Sequence, residues 1–219
     1  MVLVQGGTFD MGCTTRHSGE CDDDEFPLHS VTVGSFYIGK YPVTQAQWTM
    51  IMDSNPSNWQ GDSLPVEKVS WDDVKIFIRK LNAATGKKYR LPTEAEWEFA
   101  ARGGNQSNGY NYAGSNKPAD VAWYTNNSDG ETHIVGTKKP NELGIYDMSG
   151  NVYEWCSDWY EDTYFDNPQH SPVGASSGNY RVYRGGGWTN NARSCRIANR
   201  SKGVPGKGYS NLGFRLAHP

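Results

Sequence analysis

Apolar and polar positions alternate most regularly near the start of the chain. Met1 to Phe9 reads as an edge strand, and Val31 to Ile38 alternates as VTVGSFYI, the period of a second strand. The period then changes from two to three and four. Thr44 and Gln47 have capping-box spacing ahead of Trp48, Ile51 and Met52. Ser70 and Asp73 open a run carrying Val74, Phe77, Ile78 and Leu81 that stops before Gly86. Thr93 and Glu96, after Pro92, open another with Trp97, Phe99, Ala100 and Ala101, closed by Gly103 and Gly104. Three helices are predicted, the second and third with one buried face each.

From Gly103 to Pro140 the pattern dissolves into Gly, Asn, Ser, Tyr and Asp, with Val121 to Tyr124 and His133 to Gly136 the only strand candidates. Tyr110, Tyr112, Trp123 and Tyr124 need packing partners there, which predicts a long structured loop rather than a linker. Asn141 to Tyr160, NELGIYDMSGNVYEWCSDWY, follows as a Gly turn feeding a buried strand, with Trp155 and Trp159 filling the core. The same run places Asp147, Gly150, Asn151 and Glu154 close enough to supply oxygens to a hard cation. The last patterned stretch, Arg184 to Arg215, opens on three glycines and Trp188 and closes on Gly213, Phe214 and Arg215. Between those ends stand Thr, Asn, Arg, Ser, Lys, Gly and Tyr, which reads as exposed surface held between rigid ends.

Composition sharpens this picture in two ways. Among 219 residues there are 25 Gly, 8 Trp and 13 Tyr, so aromatic side chains supply area that aliphatic strands would otherwise supply, and the fold should be irregular. A formal charge of -3 gives no electrostatic case for nucleic-acid binding. No run approaches the roughly 20 apolar residues of a membrane helix, and no cationic start precedes an apolar stretch as in a signal peptide. Val2 already begins a strand, which leaves room for a leader or anchor upstream. Neither an internal repeat nor a domain boundary is evident, so residues 1–219 read as one domain.

The chemistry-bearing residues are sparse. The acidic run Asp22, Asp23, Asp24 and Glu25 reads as solvated. Glu94, Glu96 and Glu98 read as first-turn acids beside a helix dipole rather than as an acid and base pair. Four cysteines permit two disulfides, Cys13 with Cys21 and Cys156 with Cys195, in an oxidising compartment, or four reduced thiols. His17, His29, His133, His170 and His218 show no spacing that supplies a base or a metal cage.

Six blocks in order, VQGGTFDMG, FYIGKYPVTQAQW, RLPTEAEWEFAARGG, GIYDMSGNVYEW, YRVYRGGGW and NLGFR, resemble the formylglycine-generating enzyme or sulfatase-modifying factor family across essentially the whole chain. The resemblance implies a C-type-lectin-like α+β fold, loop-rich, with few short strands and two to three helices. The catalytic members carry two cysteines shortly after the glycine-rich turn, and these bind copper(I). This chain has Thr189, Asn190 and Asn191 there and Cys195 alone, so the resemblance does not carry catalysis over. It does carry a structural calcium site, with the side chains of Asp147 and Glu154 and the carbonyls of Gly150 and Val152. The family has Asn where Asp147 stands, which keeps an oxygen ligand. A second calcium site around Asp120 to Asp129 does not align, and no other cofactor is required.

The terminal stretch also resembles the variable region of diversity-generating retroelement target proteins, in which residues are rewritten at adenines of a template. Arg184, Gly185, Gly186, Trp188, Cys195, Arg196, Arg200, Pro205, Gly213, Phe214 and Arg215 match the positions that stay fixed. The positions between them, and the expected ligand contacts, are Thr189, Asn190, Asn191, Arg193, Ser194, Ser201, Lys202, Gly203, Val204, Gly206, Lys207, Tyr209 and Ser210. Many of these residue types are reachable from an Asn codon by changing adenines; Lys202 and Lys207 need other codons. The set contains the Tyr, Ser, Gly and Asn that paratopes favour. The expected function is binding of a macromolecular ligand, a protein, at the cell surface or outside the cell, without catalysis. The alternative is an oxidoreductase, or an accessory activator, of the formylglycine-generating type.

Overall fold

The computed structural model describes residues 1–14, 21–164 and 167–219, so His17 lies outside the described residues. Its strands are short. β1 (Val2–Val4), β4 (Phe36–Ile38) and β10 (Ala217–His218) form one sheet in the order β1-β4-β10. β2 (Gly7–Met11), β3 (His29–Val33) and β6 (Gln169–His170) form a second. The third, β8-β7-β5-β9, joins β5 (Tyr153–Trp159), β7 (Arg181–Arg184), β8 (Arg200–Gly203) and β9 (Leu212–Phe214), with β5 and β9 parallel. Residues 181–215 therefore supply three of that sheet's four strands, and the terminal stretch is built into the fold rather than appended to it.

Local signals placed the helices. α1 (Gln45–Thr49), α2 (Trp71–Thr85) and α3 (Glu94–Ala101) each begin with a complete capping box, at Thr44, Ser70 and Thr93. Gly86 ends α2 at φ 70°, a left-handed conformation that costs glycine little. α3 is buried at every position except Glu96, because it lies between sheets with Trp97, Phe99, Ala100 and Ala101 in the core. Trp48 stacks on Phe77 at 5.2 Å and Phe77 meets Phe214 edge-on at 5.4 Å, so aromatic contacts do carry much of the second core cluster.

Four expectations are corrected. Met1 to Phe9 is not one strand but two, β1 and the start of β2, which break at Gln5 and Gly6 and join different sheets. Val31 to Ile38 is two strands, β3 and β4, which separate at Gly34 and Ser35 and join different sheets. Val121 to Tyr124 is not a strand; Val121 closes the short helix α4 (Pro118–Val121), and His133 to Gly136 is a turn held by side chains, with Asn151 Oδ1 accepting from the His133 N–H. Cys13 and Cys21 are bridged, but Cys156 and Cys195 are free and buried in different core clusters, so no disulfide pins the terminal stretch.

Candidate ligand-binding surface

Buried charge does that pinning instead. Four arginines of the terminal stretch are nearly inaccessible: Arg184 and Arg215 at 0%, Arg196 at 1% and Arg200 at 6% exposure. Each is neutralised by a carboxylate from another part of the chain. Arg184 binds Glu94 and Glu98, both at 2.5 Å, and Arg200 binds Glu94 through Nε at 2.7 Å. Arg196 grips Glu25 with both terminal nitrogens, at 2.7 and 2.6 Å, and Arg215 grips Glu154 through Nε and a terminal nitrogen, both at 2.6 Å. Such forks fix geometry as well as charge. Glu25 is therefore no solvated acid, and Glu94 and Glu98, one helical turn apart on α3, are ion-pair partners rather than dipole companions; Glu96 alone serves the helix cap. Burial opposes the ionisation of Glu94, but Arg200 and Arg184 outweigh it and hold its pKa at about 2.

Between these anchors the chain runs outward as two loops. Thr189, Asn191 and Arg193 are exposed in the first, and Lys202, Val204, Gly206 and Lys207 in the second; Asn190, Ser194, Ser201, Tyr209 and Ser210 are half-buried. The loops are stitched at their bases. Asn211 Nδ2 donates to Thr189 Oγ1 at 2.9 Å, and Trp188 Nε1 donates to the Ser210 carbonyl at 3.0 Å. Below them Tyr153, Tyr183 and Trp155 make an aromatic floor, with ring contacts of 4.7 and 5.4 Å. Gly203 does not belong to this surface. It is buried, and a Cβ there would lie 2.8 Å from Trp155, so the position is closed to side chains. Two of the exposed cations are already matched: Arg193 to Asp22 at 2.5 Å and Lys202 to Asp162 at 2.9 Å.

Cys195 lies under the first loop with its Sγ against the Asn191 carbonyl, and burial pushes its thiol up to about 12. A thiol so placed is not a thiolate near neutral pH, and the thiolate is the nucleophile and metal ligand. At the candidate cation site, Asp147 Oδ2 accepts from the Gly136 N–H at 2.7 Å while its Oδ1 is buried with no hydrogen bond of ordinary geometry among the described residues, the Asn151 side chain lying nearby. Burial pushes the Asp147 carboxyl up to about 6. Glu154 Oε2 accepts from both Arg215 and Trp97, whereas Oε1 accepts from Arg215 alone. With about four lone-pair positions per carboxylate, Oε1 keeps room for one more contact.

The whole chain, residues 1–219, matches the sulfatase-modifying factor enzyme 1-like domain model. The chain belongs to this family. Among curated proteins it is 35% identical to the chaperone protein LppX of Paenibacillus barcinonensis, over 96% of this chain and 84% of that one. It is 38% identical to the formylglycine-generating enzyme of Streptomyces coelicolor, over 70% of this chain and 52% of that one. Several longer relatives are spanned to only 37–38% of their length. Among solved structures, variable protein 1 of Treponema denticola superposes with a TM-score of 0.90 at 32% identity, covering 100% of this chain and 94% of that one. The sulfatase-modifying factor fold, mixed α and β with short strands and few helices, is thus the fold of this chain.

Two neighbours of the surface escaped sequence reasoning. Trp59 meets Trp188 edge-on at 4.7 Å, and Lys68 donates its backbone N–H to the Tyr209 carbonyl at 3.0 Å. Between them in sequence lies Glu67, fully buried: Oε1 accepts from the Asn58 and Trp59 N–H groups, and Oε2 has no partner among the described residues. The pair of Trp residues was visible in the sequence, but nothing local linked positions about 130 apart.

Burial raises Glu67 to about 7, and it raises Asp158, under the N-terminus of α3, to about 7 as well. Between the unfolded carboxylate range and pH 7 the native state holds protons that the unfolded chain has lost, so stability falls as pH rises through that window, by at most about 1.4 kcal/mol per unit per group. Glu67→Gln removes one such group. Thermal unfolding at pH 5 and pH 8 should show a smaller loss on alkalinisation for the variant than for the parent; equal losses would mean that Glu67 ionises freely in the fold.

Proposed function

We propose that this protein is a non-catalytic binder that displays a diversified surface, as a diversity-generating retroelement variable protein, to a macromolecular ligand that is itself a protein. The single observation that carries this reading is the separation of roles within residues 184–215. Four buried Arg–carboxylate forks and two aromatic residues, Trp188 and Phe214, hold the ends of the loops, while twelve of the expected contact positions between them, from Thr189 to Ser210, are exposed or half-buried. Side chains on such a surface change with effects usually within about 0.5 kcal/mol, which makes variation compatible with folding. The likeness to a protein named a variable protein supports the same reading.

The ligand contacts are Thr189, Asn190, Asn191, Arg193, Ser194, Ser201, Lys202, Val204, Gly206, Lys207, Tyr209 and Ser210. Display requires meeting the ligand, so the protein works at the cell surface or outside the cell. A structural calcium fits the buried Oδ1 of Asp147; Asp147, the open position of Glu154 and the Gly150 and Val152 carbonyls would hold it, and it would neutralise a buried carboxyl at the turn before β5. The enzymatic alternative rests on formylglycine-generating relatives. Against it stand the missing cysteine pair, with Thr189, Asn190 and Asn191 and Cys195 alone where the catalytic members carry two cysteines, and the burial of Cys195.

Sequencing the codons for residues 184–215 across a population of the source organism tests the proposal. Substitutions confined to the contact positions, matching adenines of a near-identical neighbouring copy and sparing Gly203 and the four arginines, are expected. An invariant stretch, or copper(I)-dependent oxidation of a peptide cysteine by the purified protein, would overturn it.

A further inference from the structure

We infer that the binding surface extends beyond the terminal stretch onto Asn58, Trp59 and Lys68, and that the partner it fits presents an acidic peptide segment to Lys68 and Lys207 beside Tyr209. The inference rests on the reading of residues 189–210 as a binding face and adds the chemistry of what that face receives.

The continuity is geometric. A Cβ on Gly208 would lie 2.4 Å from the Lys68 carbonyl oxygen, so the two backbones touch, and the Lys68 N–H to Tyr209 carbonyl bond closes the same seam. Lys68 stands at φ 62° and is exposed, with Nζ donating to Asn58 Oδ1 at 3.1 Å. On the other side of Tyr209, in sequence, Lys207 is exposed with Nζ 5.0 Å from the Tyr209 ring centroid. Trp59 and Trp188, both half-buried, form the aromatic pair that the Ser210 carbonyl ties to this corner. Half-exposed Trp and Tyr ringed by polar groups are the residue types that dominate binding energy at protein interfaces.

Charge then selects the partner. Of four exposed cations on the face, Arg193 and Lys202 have carboxylate partners, while Lys68 and Lys207 have no carboxylate within ion-pair distance among the described residues. The acids at this corner are Glu67, buried beneath Asn58 and Trp59 and attracted to Lys68 without reaching ion-pair distance, Asp72, whose Oδ2 lies 3.6 Å from a Cβ placed on Gly206, and, past Ser128 on the Trp188 side, Asp129 and Glu131. Two exposed ammonium groups without an ion-pair partner among the described residues, Lys207 against the Tyr209 ring and Lys68 on the adjoining segment, complement a short run of carboxylates on a chain of net charge -3. They are too few for a phosphate backbone, which takes a stripe of cations.

The test uses the full chain and a fluorescein-labelled octapeptide of alternating Glu and Tyr, beside the same peptide with Gln in place of Glu, in anisotropy titrations. The Glu peptide should bind about tenfold or more tightly than the Gln peptide at low salt. That advantage should shrink at ionic strengths where the Debye length falls to about 5 Å, and vanish in the Lys68→Glu, Lys207→Glu double variant. Both lysines are exposed, so an unchanged unfolding midpoint is expected and serves as the folding control. Equal binding of the two peptides, an advantage that survives the double variant, or no binding of the Glu peptide up to millimolar concentration overturns the inference. A third variant, Asn191→Ala with Val204→Ala, separates the two readings: peptide binding lost there but indifferent to the lysines would keep the binding face and sink the acidic partner.

Discussion

Replacing Arg196 by Met should destabilise the protein by about 3–5 kcal/mol, the cost typical of removing one partner from a buried ion pair. Arg196 is 1% exposed and Glu25 is 0% exposed, and the two share a bidentate contact across 171 residues of sequence. Without the guanidinium, Glu25 keeps the backbone it sits on and a long contact from Asn199 Nδ2 at 3.4 Å, which cannot compensate a buried carboxylate. At this chain length the loss corresponds to roughly 6–20 °C in the thermal midpoint. The double variant Glu25→Met, Arg196→Met should recover much of it, because an apolar pair of similar volume carries no desolvation penalty. Urea unfolding of the parent, both single variants and the double variant supplies the cycle. Additive losses would mean that each residue acts through separate contacts and that the fork is not the anchor of the first loop.

That cycle also probes why so much of the framework was illegible in the sequence. Helix starts are written locally, and Thr44, Ser70 and Thr93 announced α1, α2 and α3 because a capping box needs only four consecutive residues. The C-type-lectin-like fold was legible through six ordered motifs, which the family match over residues 1–219 bears out. Pairing across long loops has no such signature. Glu25 looked like the end of a solvated acidic run because its partner lies beyond the centre of the chain, and Glu94 and Glu98 satisfied a dipole argument that required no partner at all. The failure at Val31 to Ile38 has the same origin. The alternation is real, but β3 pairs with β2 and β6 while β4 pairs with β1 and β10, and partner choice is not encoded in a period of two. Cys156 and Cys195 were an even count with suggestive positions, yet burial in separate clusters decides their state.

The core clusters and the buried forks meet at the terminal stretch. Arg184 and Arg200 converge on α3, Arg215 reaches back to β5 and the carbonyls of Gly39 and Tyr146, and Phe214 packs under Trp48 and Phe77. Each loop therefore leaves the body from a fixed point and returns to one. Change at the exposed positions between those points, unlike change at buried ones such as Gly203, should leave the loops standing where they are.

The largest contrast expected within the loops is between two glycines three residues apart. Gly203→Tyr should disrupt the third sheet, because even the Cβ would stand 2.8 Å from Trp155 and 3.0 Å from Tyr183, both of them rings in the floor beneath the surface. Overpacking of a filled interior costs about 1–3 kcal/mol for added methylenes and more for a whole ring with nowhere to go. Gly206→Tyr should be silent, within about 0.5 kcal/mol, since Gly206 is exposed and the nearest atom to its Cβ is Asp72 Oδ2 at 3.6 Å. The sequence offers no means of telling them apart; both are glycines in a polar run, and burial under an aromatic ring is a property of the sheet. Chemical denaturation of the two variants decides the matter. A stable Gly203→Tyr would place β8 further from Trp155 than it stands here and return position 203 to the proposed contact positions, whereas an unstable Gly206→Tyr would remove the second loop from them.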